Sequence, residues 1–506
     1  MLTSLLVVGV LIVIIPLYIW WKRMPYAHIP GVTQLGPFLP IKLPLVNKYM
    51  GGGAESPALE QLFRSGFVKD GVLRITACGV SRLFISDPDL IKDIALTRAK
   101  LFPKPPVYDI LNIWGENIVS TNDSAWKKHR VVADPAFAEN HMNYLVKESA
   151  KCINLSINRM EKSRSAFGLV INATEEMQDV TLDIIGKVAF GYDLGVFAPK
   201  DPVQPHKMTF ENALKLTMTL GILVGGVLPK WARRFFPQTD IALNETELYM
   251  RELIKYRMDN LYDTGKHDLL SLLVSSNAEQ IKETSLTDQE LVSDVFIFLV
   301  AGHETSATTL SWMLYELMLN KHVQDKMYEE VKTVLSGLKF DELTVDTYEK
   351  LTYTKCAVTE TLRKHPPVSG VPKMTRTDTT IGKYLVPKNT EIYLDVAQVQ
   401  KNEKYWPDAK TFKPERFDPE SSEYHKVKSC SFLPFSLGQR KCIGSKFSEI
   451  ETAILIAYIV LNYEINNPKG DVYMNSKEVL QGDIRTESRI TQSPLGLRVE
   501  LKKRQA

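Results

Sequence analysis

The longest uninterrupted apolar stretch opens the chain. Leu2 to Trp21 carries no charged side chain and is dense in Leu, Val and Ile, enough for a helix that spans the hydrocarbon of a bilayer. Trp20 and Trp21 close it, where amphipathic rings favour the membrane interface, and Lys22-Arg23 follow at once. Basic residues on the C-terminal side predict that everything after them stays in the cytosol. A cleavable signal peptide would show basic residues before the apolar run and small ones after it. Neither is present, so residues 2–21 are predicted to be a transmembrane signal-anchor. Pro25, Pro30, Pro37, Pro40 and Pro44 come next. Proline fixes φ and removes a donor, which predicts a stiff, extended spacer over 22–50 ahead of a globular body, 51–506.

In the body, Val72-Leu73-Arg74-Ile75 and Arg82-Leu83-Phe84-Ile85 alternate as two short strands. Asp87-Pro88 then opens a helix. From 122 to about 365 the apolar positions recur at helical spacing. Ser285-Leu-Thr287-Asp-Gln-Glu290 places Thr287 and Glu290 as a capping box. A helix of about 30 residues from there spans on the order of 45 Å, enough to cross the whole body. Thr379–Ile381 and Glu391–Leu394 read as strands, 405–433 as irregular, and a helix and a β-like tail follow. The class is mixed α+β, mostly α. Leu214 to Leu228 is a second apolar run, too short to span a bilayer, with Lys230 and Arg233-Arg234 just beyond. It is either a buried core helix or a segment that dips into a membrane surface.

Composition narrows the class. The chain has 506 residues, 44% hydrophobic and 24% charged, with no linker or repeat after residue 55, which predicts one large globular unit. A net charge of +3 without a basic stripe excludes a nucleic-acid binder. Cys78, Cys152, Cys356, Cys430 and Cys442 are scattered singly, as in a reducing compartment.

One of these cysteines stands apart. In Phe435-Ser-Leu-Gly438-Gln-Arg440-Lys-Cys442-Ile-Gly444 the glycines permit a tight turn and close approach of the backbone to a flat ligand. The apolar helix that follows puts Cys442 at or just before a helix N-terminus, where backbone N–H groups and the dipole stabilise a thiolate. A buried structural cysteine is the alternative. A second unusual stretch, Ala301-Gly302-His303-Glu304-Thr305, interrupts the apolar middle of the long helix. Burying a carboxylate beside a hydroxyl is costly unless they act. Gly302 would open a groove, and Thr305 can bond back to a carbonyl and loosen the helix locally.

The pattern Phe-x-x-Gly-x-Arg-x-Cys-x-Gly resembles the haem-binding loop of the cytochrome P-450 superfamily, and the likeness continues across nearly all of the body. The resemblance implies a cytochrome P-450 fold with haem b as cofactor and Cys442 as the iron's axial ligand. A thiolate ligand pushes electron density onto the iron and favours O–O cleavage. Phe435, Gly438, Arg440 and Gly444 would belong to the cofactor loop, with Arg440 reaching a propionate. Glu304 and Thr305 resemble the acid–alcohol pair that feeds protons to the oxygen, with Ala301 and Gly302 lining the oxygen site. His303 is not assigned as a ligand. Trp126-Lys-Lys-His-Arg130 resembles the family's Trp-x-x-x-Arg helix, so Trp126 and Arg130 are assigned to haem binding. Glu360-Thr-Leu-Arg363 with Arg416 resembles its fold-locking Glu–Arg–Arg cluster. At one position the chain departs from the pattern: Lys373 stands where many members place a propionate-binding arginine, and lysine offers a point charge rather than a fork.

The loop from Val107 to Trp114, with Val368 to Val371 and Ile490, would border the pocket. No nucleotide-binding loop is present: Gly51-Gly52-Gly53 lacks the GxGxxG spacing. Electrons must then come from another protein. The resemblance implies NADPH-cytochrome P-450 reductase, with cytochrome b5 a further candidate, docking near Lys127, Lys128, Lys441 and Lys446. The expected activity is O2-dependent hydroxylation of a lipophilic molecule (steroid, fatty acid, terpenoid or xenobiotic). The expected place is the endoplasmic reticulum membrane, single-pass, with the catalytic domain cytosolic. The alternatives are a haem-thiolate isomerase or dehydratase acting on a lipid peroxide without an electron donor, disfavoured by Thr305, and a non-catalytic haem sensor.

Overall fold

The computed structural model describes residues 18, 24–34, 68–77, 80–138, 142–162, 164, 168–197, 205–260, 268–280, 285–480, 484–488 and 491–504. Apart from Tyr18, the anchor predicted over 2–21 lies outside these residues, as do Cys78, Ile490 and most of the spacer. Among the described residues no helix is long and apolar enough to cross a membrane.

The alternating segments form a five-stranded sheet in the order Gly31–Gln34, Val72–Ala77, Val80–Ile85, Glu391–Asp395, Gly370–Met374. The central hairpin is antiparallel, Val72 opposite Ile85. The spacer prediction is amended at 31–34. Those residues are extended, but they pair parallel with 74–77 as an edge strand. Arg74, fully buried, ties them in by donating Nε–H to the Ile29 carbonyl (3.2 Å). Asp87 caps the helix Pro88–Lys92 by accepting from the Asp89 and Leu90 N–H groups.

Helices fill the rest. The long helix runs Asp288–Leu319 and opens on the capping box, Glu290 N–H donating to Thr287 Oγ1 (3.2 Å) and Thr287 N–H to Glu290 Oε2 (2.7 Å). Nearly every residue from Leu291 to Leu317 outside the 301–305 stretch is buried, so the helix is enclosed all round and forms the spine of the core. Ala173–Ile184 packs along it. The helix Ser445–Asn462, which follows Cys442, packs against Met142–Lys162. A three-stranded sheet, Val170–Asn172, Arg498–Lys503 and Tyr463–Asn466, ties the C-terminal tail to both.

The Leu214–Leu228 run is divided between two environments. Leu214, Ile222 and Val224 are buried, and Gly226 lies so close to the Ile110 carbonyl that a Cβ would meet its oxygen at 2.0 Å. Leu223 and Val227 face out, 54% and 58% exposed, followed by Trp231 and Phe235, both 66% exposed.

Glu360, Arg363 and Arg416 meet in the interior. Arg363 forks onto Glu360 (Nε to Oε2 2.7 Å, Nη2 to Oε1 2.9 Å), and Arg416 Nε reaches Oε1 at 3.2 Å. All three are buried. Arg363 and Arg416 spend their other N–H groups on the carbonyls of Gln400, Ala409 and Pro407, so the cluster clamps the irregular 400–416 stretch.

Candidate active site

The loop that carries Cys442 is shaped by two local constraints. Gly438 adopts φ +69°, and a Cβ there would press on Leu96 Cδ2 at 2.7 Å and the Ala95 carbonyl at 3.0 Å, so glycine is required. Cys442 N–H then donates to the Phe435 carbonyl (2.9 Å), closing the loop just before the helix that Gly444 N-caps. Gly444 is less constrained by its protein neighbours. Its φ is −86°, and a Cβ would meet Phe137 only at 3.8 Å, so packing within the protein does not demand glycine there.

The Cys442 side chain is accessible although protein surrounds it closely, which places the sulfur on an interior surface. That enclosure raises its pKa against the Gly444 N–H, Arg130 and Lys441, which favour the thiolate. The Gly444 N–H acts in the direction the sequence reading expected, and burial outweighs it. A metal cation at the sulfur would deprotonate it outright.

Around the loop cations predominate over acids. Arg440 lies over the Trp126 ring (4.4 Å) and donates to the carbonyls of Ile118 (3.3 Å) and Thr121. Burial and Arg130 push its pKa down to about 10, so it stays protonated. Arg130 donates to the Lys441 carbonyl (3.3 Å) while paired with Asp134 (2.5 Å). Lys373 is buried, its pKa lowered to about 8 by burial and by Arg440. Lys104, which the sequence reading did not single out, is enclosed beside both. Burial, Arg440 and Lys373 drive its pKa well below the lysine range, and Cys442 opposes them. Its Nζ donates to the Val119 carbonyl (2.5 Å). Asp123, the acid acting on Arg440, is exposed and already paired with Arg376 (2.7 Å). Cations in excess over the carboxylates beside them suit a dianionic ligand such as haem with its two propionates. The donor set, one thiol plus this cluster, fits that group.

On the long helix, Ala301, Glu304 and Thr305 are accessible or half-buried amid buried neighbours. Thr305 Oγ1 donates to the Ala301 carbonyl (2.7 Å), yet the helix runs on without a break. Glu304 turns to another partner: its Oε1 accepts from the Thr491 N–H (3.3 Å) and Oγ–H (2.9 Å). Thr491, just before the second strand of the hairpin 486–494, was not anticipated. The groove expected at Gly302 is filled, since a Cβ would meet Ile185 Cδ1 at 2.8 Å. His303 faces away from the pocket candidates. It is buried on Ala173–Ile184, with Nε2 at 3.1 Å from the Gln178 carbonyl and a pKa lowered to about 4 by burial.

The large side chains of the 107–114 loop act mainly as anchors. Ile110, Leu111, Ile113 and Trp114 pack on the core, Trp114 edge-on to Phe296 (4.8 Å), while Val107 and Val368 stay exposed. Of the four surface lysines, Lys127 and Lys441 are exposed. Lys128 and Lys446 are engaged with Glu290 (2.7 Å) and Glu349 (2.9 Å).

Known proteins resemble this chain over most of its length. The family described as cytochrome P-450 matches residues 56–487. Cytochrome P-450 monooxygenase 124 of Postia placenta is 32% identical over 401 residues, 76% of this chain and 75% of that one. Cytochrome P-450 4X1 of Mus musculus is 28% identical over 436 residues, 79% and 82% of the two chains. The crystal structure of the cytochrome P-450DA heme domain superposes with a TM-score of 0.75 at 22% identity, covering 94% of this chain and 98% of that one.

Proposed function

This chain belongs to the cytochrome P-450 family and is a monooxygenase, and from that premise we propose that it hydroxylates a lipophilic small molecule with electrons drawn from NADPH through a separate reductase. The observation that carries the proposal is the Cys442 thiol set among Arg440, Arg130, Lys104 and Lys373, of which Arg130 is paired with Asp134 while the other three make no ion pair among the described residues. Haem, when bound, supplies the redox chemistry of dioxygen activation, which side chains lack. Cys442 would hold its iron, and the four cations with Trp126 would hold its carboxylates. Thr305, its hydroxyl proton committed to the Ala301 carbonyl, keeps oxygen lone pairs with which to order a water in the pocket. Glu304, held by Thr491, is the acid from which a proton reaches that water. The buried apolar face of the long helix limits other water.

Val107, Val368 and the half-buried Val371 favour an apolar substrate. Exposed Leu223, Val227, Trp231 and Phe235 beside Lys230, Arg233 and Arg234 support contact with a bilayer surface. With the apolar start of the chain, they support a single-pass protein of the endoplasmic reticulum whose catalytic domain is cytosolic. Quenching of tryptophan fluorescence by brominated lipid, reduced in Trp231→Phe, is expected; equal quenching would remove that contact.

The deciding experiment is optical titration of the ferric protein with steroids, fatty acids, terpenoids and aromatic drugs, followed by turnover with NADPH and reductase. A shift to the high-spin spectrum with one class, and its hydroxylation, is expected. No shift with any class would sink the lipophilic-substrate reading.

A further inference from the structure

Asp294 lies about two turns before Ala301 on the long helix and is completely buried. Its two oxygens hold two different elements. Oδ2 sits 2.6 Å from His129 Nδ1, on the helix that carries Trp126 and Arg130, Asp123–Ala133. Oδ1 accepts the Ile118 N–H at 2.7 Å. The carbonyl of that same Ile118 receives Arg440 Nη1 (3.3 Å), and Thr121 and Asn122, a turn further on, receive Nη2. One residue earlier, Ser293 Oγ donates to the Gly115 carbonyl (2.7 Å). A turn before that, Lys128 pairs with Glu290 (2.7 Å). A single carboxylate thus connects the helix bearing Thr305, the helix bearing Trp126 and, through the backbone of one residue, Ile118, the arginine of the cysteine loop.

We propose that Asp294 is a positioning residue that fixes the height of the 301–305 stretch relative to the Arg440–Trp126 seat. The inference rests on the monooxygenase reading for its consequence in turnover, but not for its geometry. A buried carboxylate is retained at high desolvation cost and tolerates little displacement from its donors. A helix fixed at that point cannot slide along its axis without breaking both bonds. Small displacements of a catalytic group matter in proportion, because productive geometry is narrow.

The test is hydrogen exchange on the holoprotein, paired with product formed per NADPH consumed, in Asp294→Ala and Asp294→Asn. In D294A the Ile118 amide loses a charge-assisted bond, and exchange over 115–122 is expected to accelerate about ten- to a hundredfold. Exchange over 298–305 is expected to rise with it, and product per NADPH to fall severalfold. The thiolate signature of the ferrous carbon monoxide complex should remain. D294N keeps an acceptor for Ile118 and should recover most of both effects. Should D294A fail to fold, His129→Gln, which leaves the Ile118 bond, takes its place, with a smaller paired rise expected. Acceleration confined to 115–122, with product per NADPH unchanged, would make Asp294 a local anchor and overturn the proposal. If the monooxygenase reading were wrong, the wild type would give no product with reductase while the paired exchange response persisted.

Discussion

Glu360 is the most exacting position in the fold to perturb. Its carboxylate, fully buried, accepts from Arg363 twice, from Arg416 and from the Lys413 N–H at 3.0 Å. Glu360→Gln would leave two buried guanidinium groups sharing a neutral amide. Removing one partner from a buried ion pair costs about 3–5 kcal/mol, and with two cations orphaned the upper end applies. Arg416→Met is milder. Glu360 keeps its Arg363 fork, and the main losses are the carbonyls of Pro407, Asp408 and Thr411, for about 3 kcal/mol. Against a total stability of about 5–15 kcal/mol, either change is large. The damage would reach the cysteine loop through Gln400. Its carbonyl receives Arg363 (2.8 Å), and its Oε1 accepts the Leu433 N–H (2.7 Å), two residues before Phe435. Urea denaturation followed by both far-ultraviolet dichroism and haem absorbance checks this. E360Q should be less stable than R416M, with haem absorbance lost before helix content in both. A change below about 1 kcal/mol for E360Q would refute the reasoning, since it would mean that the two cations were not relying on this carboxylate.

Thr305→Ala removes one neutral hydrogen bond, worth about 1 kcal/mol and partly offset by alanine's better helix propensity. Its melting temperature should barely move, while NADPH is consumed without product; unchanged product yield would sink the proton-delivery role. Lys373→Ala, losing a charged donor to a propionate, should speed haem transfer to apomyoglobin about ten- to a hundredfold, with Lys373→Arg restoring retention; equal transfer rates would clear Lys373 of that contact. Glu451, fully buried on the helix after Cys442 with Ser306 as its hydrogen-bonding support, has its pKa raised to about 8 by burial. The folded state then binds a proton that the unfolded state releases near pH 4.5, so stability should fall as pH rises from about 4.5 to 8 and level off above. Glu451→Gln should lack that component, and parallel wild-type and E451Q urea midpoints from pH 5 to 9 would contradict it.

What spacing alone made legible shares one property: the residues involved lie close together in the chain. The capping box of Thr287 and Glu290, the fork of Arg363 onto Glu360 and the turn from Phe435 to Cys442 each close within a few residues. Spacing alone carries such geometry. Lys104 had a visible signal, a lone cation held stiffly among Pro103, Pro105 and Pro106. Its meaning, however, came from Arg440 and Lys373, which reach it from distant parts of the chain. Thr491 could not be read at all, because a threonine near a C-terminal hairpin is ordinary until Glu304 is found at 2.9 Å. The same limit explains Gly302. A small residue in an apolar helix signals close approach, but not by what, and Ile185 supplies the answer from another helix. Asp294 extends the point to function. In the sequence it is an acid in a helix, the kind of residue expected to face solvent. Only the fold shows that its two oxygens are taken by Ile118 and His129. Family motifs mark the residues proposed to touch the cofactor. The groups that hold those residues in register are spread through the chain, one bond at a time, and leave no local pattern.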